Sequence, residues 1–415
     1  MKKASLLSIL CCLLLLCTLP ALAEEQSLPV ITITYAADAA LSHEETVDAQ
    51  VTVSEGGQES TFQAKLQLNK TALDLVEKDL PQQSLHIESE NECFVLYNDS
   101  YDALRTKLLG TVFSGLLAQS PAAVPVRAQE PVEVYVNGDY RGLYSRREDI
   151  AAAIARFEGL DSTDTLHVSD VNKKAFCGDT SGIFKALQQI KQLDLSLEAD
   201  RQALNALLDT ESYLNWLAAN IFVGNANMYS DIIYYQVGEG PVKCAMGDFA
   251  WTMLQASSDP YASLNTVYLD ADYVLMIEKK LLSQPEYRDA FLAKLGALYQ
   301  ALPAQTMQEA VDAASARIAA ALPRHMERWA DEFIQALGGD SYPAANAQEA
   351  LLYQHYCVSR LRDKTLVRRP WYLYDQTQNA LEVSDADMLR YFGSARPALI
   401  DVPSDSWDDY KAANQ

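Results

Sequence analysis

The residues best placed to do chemistry lie in one stretch, residues 209–252. Asn225, Asn227 and Asp231 fall close together in a polar loop, and Asp248 follows after what reads as a strand pair. Amide and carboxylate oxygens brought together from separate segments suit a divalent cation, because Mg²⁺ and Mn²⁺ take hard oxygen ligands. Phosphoryl transfer uses such a cation to hold nucleotide phosphates, with a nearby carboxylate accepting the proton of the attacking hydroxyl. Short Asn and Asp side chains equally satisfy turn backbone. The residues alone leave both readings open.

The elements that must position them are legible in the pattern. Asp209 or Thr210 can cap a helix whose apolar face carries Leu214, Leu217 and Ile221, with Tyr213 and Phe222 beside them, and Gly224 ends it. Ile232 to Tyr235 read as a buried strand, Gly238 to Pro241 as a turn, and Val242 to Met246 as the return strand that delivers Asp248. Upstream, Val132, Val134 and Val136 alternate before Asn137-Gly138, a type I′ turn pair, and Tyr140 to Ser145 return. Residues 28–66 read as β-structure with a hairpin at Gly56-Gly57. Residues 98–118 read as one capped amphipathic helix, in which Arg105 is either a solvated charge or the partner of a core carboxylate. Residues 150–208 read as helices with a polar insertion at 172–179. From Asp272 to about Val367 the chain reads as helices broken at Pro285, Pro303, Pro323 and Pro343, the last ending in Arg360, Arg362, Arg368 and Arg369. These arginines suit the negative end of a helix.

Composition narrows the setting. A formal charge of −23 over 415 residues would repel phosphate backbones, which excludes nucleic acid as a partner. Lys2 and Lys3, a leucine-rich run and Ala21-Leu22-Ala23 read as a signal peptide over residues 1–23, cleaved after Ala23. That run is too short for a stable span and no second one follows, so a secreted, extracytoplasmic chain is expected. Cys93, Cys177, Cys244 and Cys357 remain, without metal-type spacing, and both disulfides and buried thiols are compatible with them. No GxGxxG, Walker, HExxH or GxSxG motif is present.

Several motifs, in order, resemble the CotH family of spore-coat protein H kinases. They are Val-Tyr-Val-Asn-Gly-Asp-Tyr-Arg-Gly-Leu-Tyr at 134–144 with Glu148 downstream, Gly224-Asn225, Tyr234-Tyr235, and Asp248-Phe249 followed by Trp251. The resemblance implies an α+β, two-lobed, atypical protein-kinase fold, β-rich in its N-terminal half and helical in its C-terminal half. It implies a β-region over 24–66, a kinase-like domain over 67–376 and an acidic tail over 377–415. It also assigns roles: Asn227 and Asp248 to catalysis, Asp231 and Asp248 to the metal, and Gln82, Gln83, Arg105 and Glu148 to the nucleotide side. ATP with Mg²⁺ or Mn²⁺ would be the cofactor of an active member.

The chain departs from the family pattern at three places. Gln82 and Gln83 stand where a lysine pair is expected, Asn227 where a loop Asp is expected, and Ala250 where a second Asp is expected. Glutamine cannot supply a point charge to phosphate, although Lys65 and Lys70 lie nearby. The expectation is therefore a degenerate site that retains weak metal binding through Asp231 and Asp248, in a binding or scaffold module at the cell surface or spore coat. The partner or substrate protein is unspecified, and association with cell wall or coat is compatible with export. The alternative is an active extracytoplasmic kinase acting on protein Ser/Thr.

Overall fold

The computed structural model describes residues 27–69, 80–253, 273–337, 342–402 and 406–414. The expected signal peptide, Lys70 and the loop after Met253 lie outside these residues. Strands β1 (Val30–Tyr35), β2 (Val47–Glu55), β3 (Gln58–Leu68), β4 (Leu85–Glu88) and β5 (Cys93–Tyr97) come first. After helix α1 (Leu109–Ala118) come β6 (Gln129–Val136) and β7 (Asp139–Glu148). Together they close into a barrel of order β1-β2-β3-β4-β5-β7-β6. The closing pair, β1 with β6, is parallel, and the other pairings are antiparallel. Alternate residues point inward, as the period of a strand requires. Ile31, Ile33, Val51, Leu66, Ile87, Phe94, Leu96, Val132 and Val134 fill the interior. Closure gives every strand of the barrel two neighbours.

The turns obey local chemistry. Gly56 and Gly57 have φ of 57° and 77°, and Asn137 and Gly138 have 49° and 87°, both pairs as a type I′ turn demands. Residues 98–118, expected to be one helix, are broken. A 3₁₀ turn, Ser100–Leu104, ends at Arg105, and Lys107 beyond it has a φ of 56°. The carboxylate of Asp102 then caps the start of α1, accepting from the backbone N–H of Leu108 and of Leu109 at 2.9 Å. Asp99 and Lys107, both buried, pair at 2.9 Å across the break. Local charge pairing overrides the helical periodicity.

Helix α2 (Ile150–Glu158) leads to β8 (Leu166–Asp170) and β9 (Ala175–Cys177), then α3 (Ser181–Gln192), α4 (Glu198–Leu207) and α5 (Thr210–Val223). Strands β10 (Ile233–Val237) and β11 (Lys243–Ala245) join β8 and β9 in a four-stranded antiparallel sheet of order β11-β10-β8-β9. So the region expected to be helices and polar insertion supplies two strands. Helices α6 (Tyr273–Leu282), α7 (Pro285–Ala301), α8 (Ala304–Ile318), α9 (Leu322–Leu337) and α10 (Ala347–Arg360) follow. A π-helical turn, Leu361–Thr365, then runs into α11 (Leu366–Ala380), and α12 (Asp385–Phe392) and α13 (Trp407–Asn414) complete the chain. The arginines expected to end a helix thus sit in or beside the π turn. The stretch expected as a tail carries helices packed onto the body: Met388 and Phe392 are buried, and Trp407 stacks edge-on against Tyr353 at 5.2 Å.

The expected α+β division holds, with a β-rich first half and a helical second half, but the first half is a closed seven-stranded barrel. Hydrogen bonds from α9 help join it to the helices. Nδ1 of His325 on α9 accepts from Leu143 N at 3.1 Å, and Trp329 Nε1 donates to Arg141 O at 2.8 Å. Gly142 makes this approach possible: a Cβ there would lie 2.6 Å from His325 Nδ1.

Candidate functional site

Helix α5 is the post on which the site is hung. Asp209 caps it, accepting from Ser212 N at 2.9 Å, and Gly224 ends it with φ 59°. Its residues from Tyr213 to Val223 are buried on every side, where the pattern suggested one apolar face. Arg369, fully buried on α11, donates Nε to Phe222 O at 3.1 Å and Nη2 to Ile221 O, so it covers the helix's last carbonyls. These carry the negative end of the helix dipole.

The loop beyond Gly224 is tied down by its amides. Asn225 Nδ2 donates to Asn220 Oδ1 at 2.9 Å and to Asp248 O at 3.3 Å. Its Oδ1 accepts from Asn227 N at 3.0 Å. Asn227 Nδ2 donates to Asp231 Oδ1 at 2.8 Å. Gly247 lies so close to the backbone of Asp231 that a Cβ would fall 1.9 Å from its carbonyl oxygen. Asn225, Asn227, Asp231 and the strand end at Asp248 therefore form one cluster, and the glycine is what lets the segments meet.

The side chain of Asp248 has its own partners. Oδ1 accepts from the N–H of Phe249 at 2.6 Å and of Ala250 at 2.8 Å. Oδ2 receives Arg147 Nη1 at 2.6 Å in an ion pair whose two side chains are almost wholly buried. Arg147 also lies over the Tyr97 ring, 3.6 Å from its centre. Arg127, likewise buried, donates to Gly247 O. Burial alone would raise the pKa of Asp248. Arg147 and Arg127, with the Ala250 N–H, outweigh it and hold the carboxyl below its ordinary range. Burial and the neighbouring Arg147 bring Arg127 down to about 10. Among the described residues no three His, Cys, Asp or Glu side chains come together as a metal-binding group.

The residues expected on the nucleotide side have partners elsewhere among the described residues. Gln82 is buried and donates to Leu143 O at 2.8 Å and Arg141 O at 3.3 Å, latching the entry of β4 to β7. Gln83 donates to Leu80 O. Arg105, half-buried, bonds Tyr101, whose ring stacks on Trp251 at 4.2 Å; among the described residues no carboxylate forms a salt bridge with it. Glu148 pairs with Arg156 at 2.8 Å and accepts from Ala128 N at 2.9 Å. Lys65 is a surface partner of Asp48. Cys93, Cys177, Cys244 and Cys357 are free thiols.

Arg147, Arg127 and Tyr97 escaped the sequence reading. A signal was present: in Ser145-Arg146-Arg147-Glu148 the alternation of β7 turns Arg147 to the same side as Leu143 and Ser145. That face looks away from the barrel interior and is covered by the helices, and a charge on a covered strand face needs a buried partner. Another missed group is Glu278 on α6, fully buried, whose Oε2 receives the hydroxyl of loop residue Tyr229 at 2.8 Å. Burial pushes its carboxyl up to about 8.

No curated protein matches the chain. A family model described as CotH kinase protein matches residues 70–362, more than two thirds of the chain, and spans β4 to β11 and every residue of the cluster. With the Asn137-Gly138 hairpin, the Gly224-Asn225 helix end and the strand end at Asp248 in their places, the chain belongs to the CotH kinase family.

Proposed function

We propose that this CotH-family chain is an exported binding or scaffold module of the cell surface or spore coat, with a degenerate phosphotransfer site. The observation that carries the reading is the Arg147–Asp248 ion pair at 2.6 Å. A divalent ion competes poorly for a carboxylate whose one oxygen is held by a guanidinium and whose other accepts two backbone N–H groups. Those residues do not suit Mg²⁺ or Mn²⁺ as they stand. The remaining departures point the same way. Gln82 and Gln83 are neutral and spend their amides on backbone carbonyls, and Asn227 cannot accept a hydroxyl proton. Export rests on the N-terminal pattern; no described helix is long and apolar enough to cross a membrane.

Labelled ATP with Mg²⁺ or Mn²⁺ tests the reading. Little phosphate incorporation is expected from the wild-type chain, into itself or into added protein. The triple replacement Gln83→Lys, Asn227→Asp and Ala250→Asp is expected to raise it. Incorporation at an ordinary kinase rate, abolished by Asp248→Ala, would overturn the reading and establish an active kinase. Mass spectrometry of protein secreted by the native host is expected to find Glu24 at the N-terminus, and a cell-associated chain retaining Met1 would refute export.

A further inference from the structure

Arg369 does more than cap α5. It is nine-tenths or more buried, yet no carboxylate among the described residues pairs with it. Two of its N–H groups reach the carbonyls of Ile221 and Phe222. Its Nη1 makes no hydrogen bond among the described residues. A buried guanidinium is ordinarily matched by an acid, because half a unit of helix dipole offsets only part of a full charge. Beside it opens a small pocket of about 100 Å³, walled by Phe222, Tyr299, Leu302, Met307 and Leu373. The pocket is small, but its lining has the usual form of a small-molecule site, mostly apolar walls around a fixed polar group.

The backbone that aims Arg369 is irregular. The π turn Leu361–Thr365 runs directly into α11, and Pro370 sits inside that helix, where it removes a backbone donor. Single π turns in helices are frequent at functional sites. We infer that the pocket between α5, the α7–α8 junction and α11 binds a small amphiphilic anion, an apolar body carrying one carboxylate, with the carboxylate on Arg369 Nη1. The apolar walls take the body and the guanidinium takes the head. The pocket adjoins the loop start, since Gly224 would place a Cβ 3.5 Å from the Arg369 guanidinium. The inference is independent of whether the Asp248 cluster transfers phosphate.

Octanoate is the probe, titrated calorimetrically into the purified full-length mature chain, with octan-1-ol as the uncharged counterpart. Octanoate is expected to bind at one site and to raise the thermal midpoint. Octanol is expected to bind at least about tenfold more weakly, the loss of one charge-assisted hydrogen bond. Ala304→Trp, which fills the pocket and leaves Arg369 and α5 intact, is expected to abolish binding while the unliganded midpoint stays near wild type. Arg369→Lys is expected to weaken it, and this variant is read only if its circular dichroism matches wild type. Absence of octanoate binding, equal affinity for octanol, or undiminished binding by Ala304→Trp would each overturn the inference.

Discussion

The Arg147–Asp248 pair admits a quantitative test of whether Asp248 is a structural ion-pair member. Replacing Arg147 by Met leaves a buried carboxylate facing Arg127, the Tyr97 hydroxyl and backbone N–H groups. Breaking a buried pair from one side typically costs about 3–5 kcal/mol, and the second arginine brings the expectation to about 3 kcal/mol. Asp248→Asn removes the charge while keeping an oxygen that can accept from Phe249 and Ala250, so about 2–3 kcal/mol is expected from the two arginines left unneutralised. The double variant should cost less than the sum by about 2 kcal/mol, the coupling of two groups in contact. Urea unfolding followed by tryptophan fluorescence gives all four corners of the cycle. The pH dependence follows from the depressed carboxyl. Its stabilisation is present above the ordinary aspartate range and is lost as pH falls through the lower folded-state value, so the deficit of Asp248→Asn should shrink in acid. Additive single variants would refute the reasoning. So would an Asp248→Asn chain more stable than wild type, the behaviour of a strained catalytic carboxylate.

Other perturbations probe the surrounding frame. Glu278, with its carboxyl raised to about 8, keeps a proton that the unfolded chain sheds from near 4.5 upward. Stability should therefore fall with rising pH between those values, by up to about 1.4 kcal/mol per unit, and level off above. Glu278→Gln should flatten that slope in thermal midpoints measured from pH 5 to 9; an unchanged slope would assign it to other groups. Gly142→Ala would set a Cβ 2.6 Å from His325 Nδ1 at a φ of 92°, prying α9 off the barrel. A loss of about 2–3 kcal/mol is expected in urea, and an unchanged midpoint would mean the junction yields freely. Gly138→Val, at φ 87°, should cost about 1 kcal/mol or more through the type I′ turn, and wild-type stability would mean the turn refolds to another type.

What the sequence made legible was local. The cap at Asp209, the stop at Gly224 and the turns at Gly56-Gly57 and Asn137-Gly138 are each dictated by a few adjacent residues, and each is where it was expected. Long-range pairings were not legible. The barrel closes through β1 and β6, which lie about a hundred residues apart, and Arg147 meets Asp248 across 101 positions. Neither partner carries a mark naming the other. The break after Leu104 was hidden for a related reason. Helical spacing of Leu104, Leu108 and Val112 is real, but the Asp99–Lys107 pair and the Asp102 cap compete with it and prevail. In the cluster, the sequence pointed to the right segments and the right carboxylate. What it did not reveal was the guanidinium that the helix-covered face of β7 turns toward that carboxylate.

A carboxylate held by Arg147 is not offered to a nucleotide-bound metal. Isothermal titration of ATP into the purified mature chain, with Mg²⁺, with Mn²⁺ and with EDTA, measures this. No saturable, metal-dependent heat is expected up to millimolar nucleotide. Metal-dependent binding in the micromolar range that disappears in Asp248→Asn would contradict it.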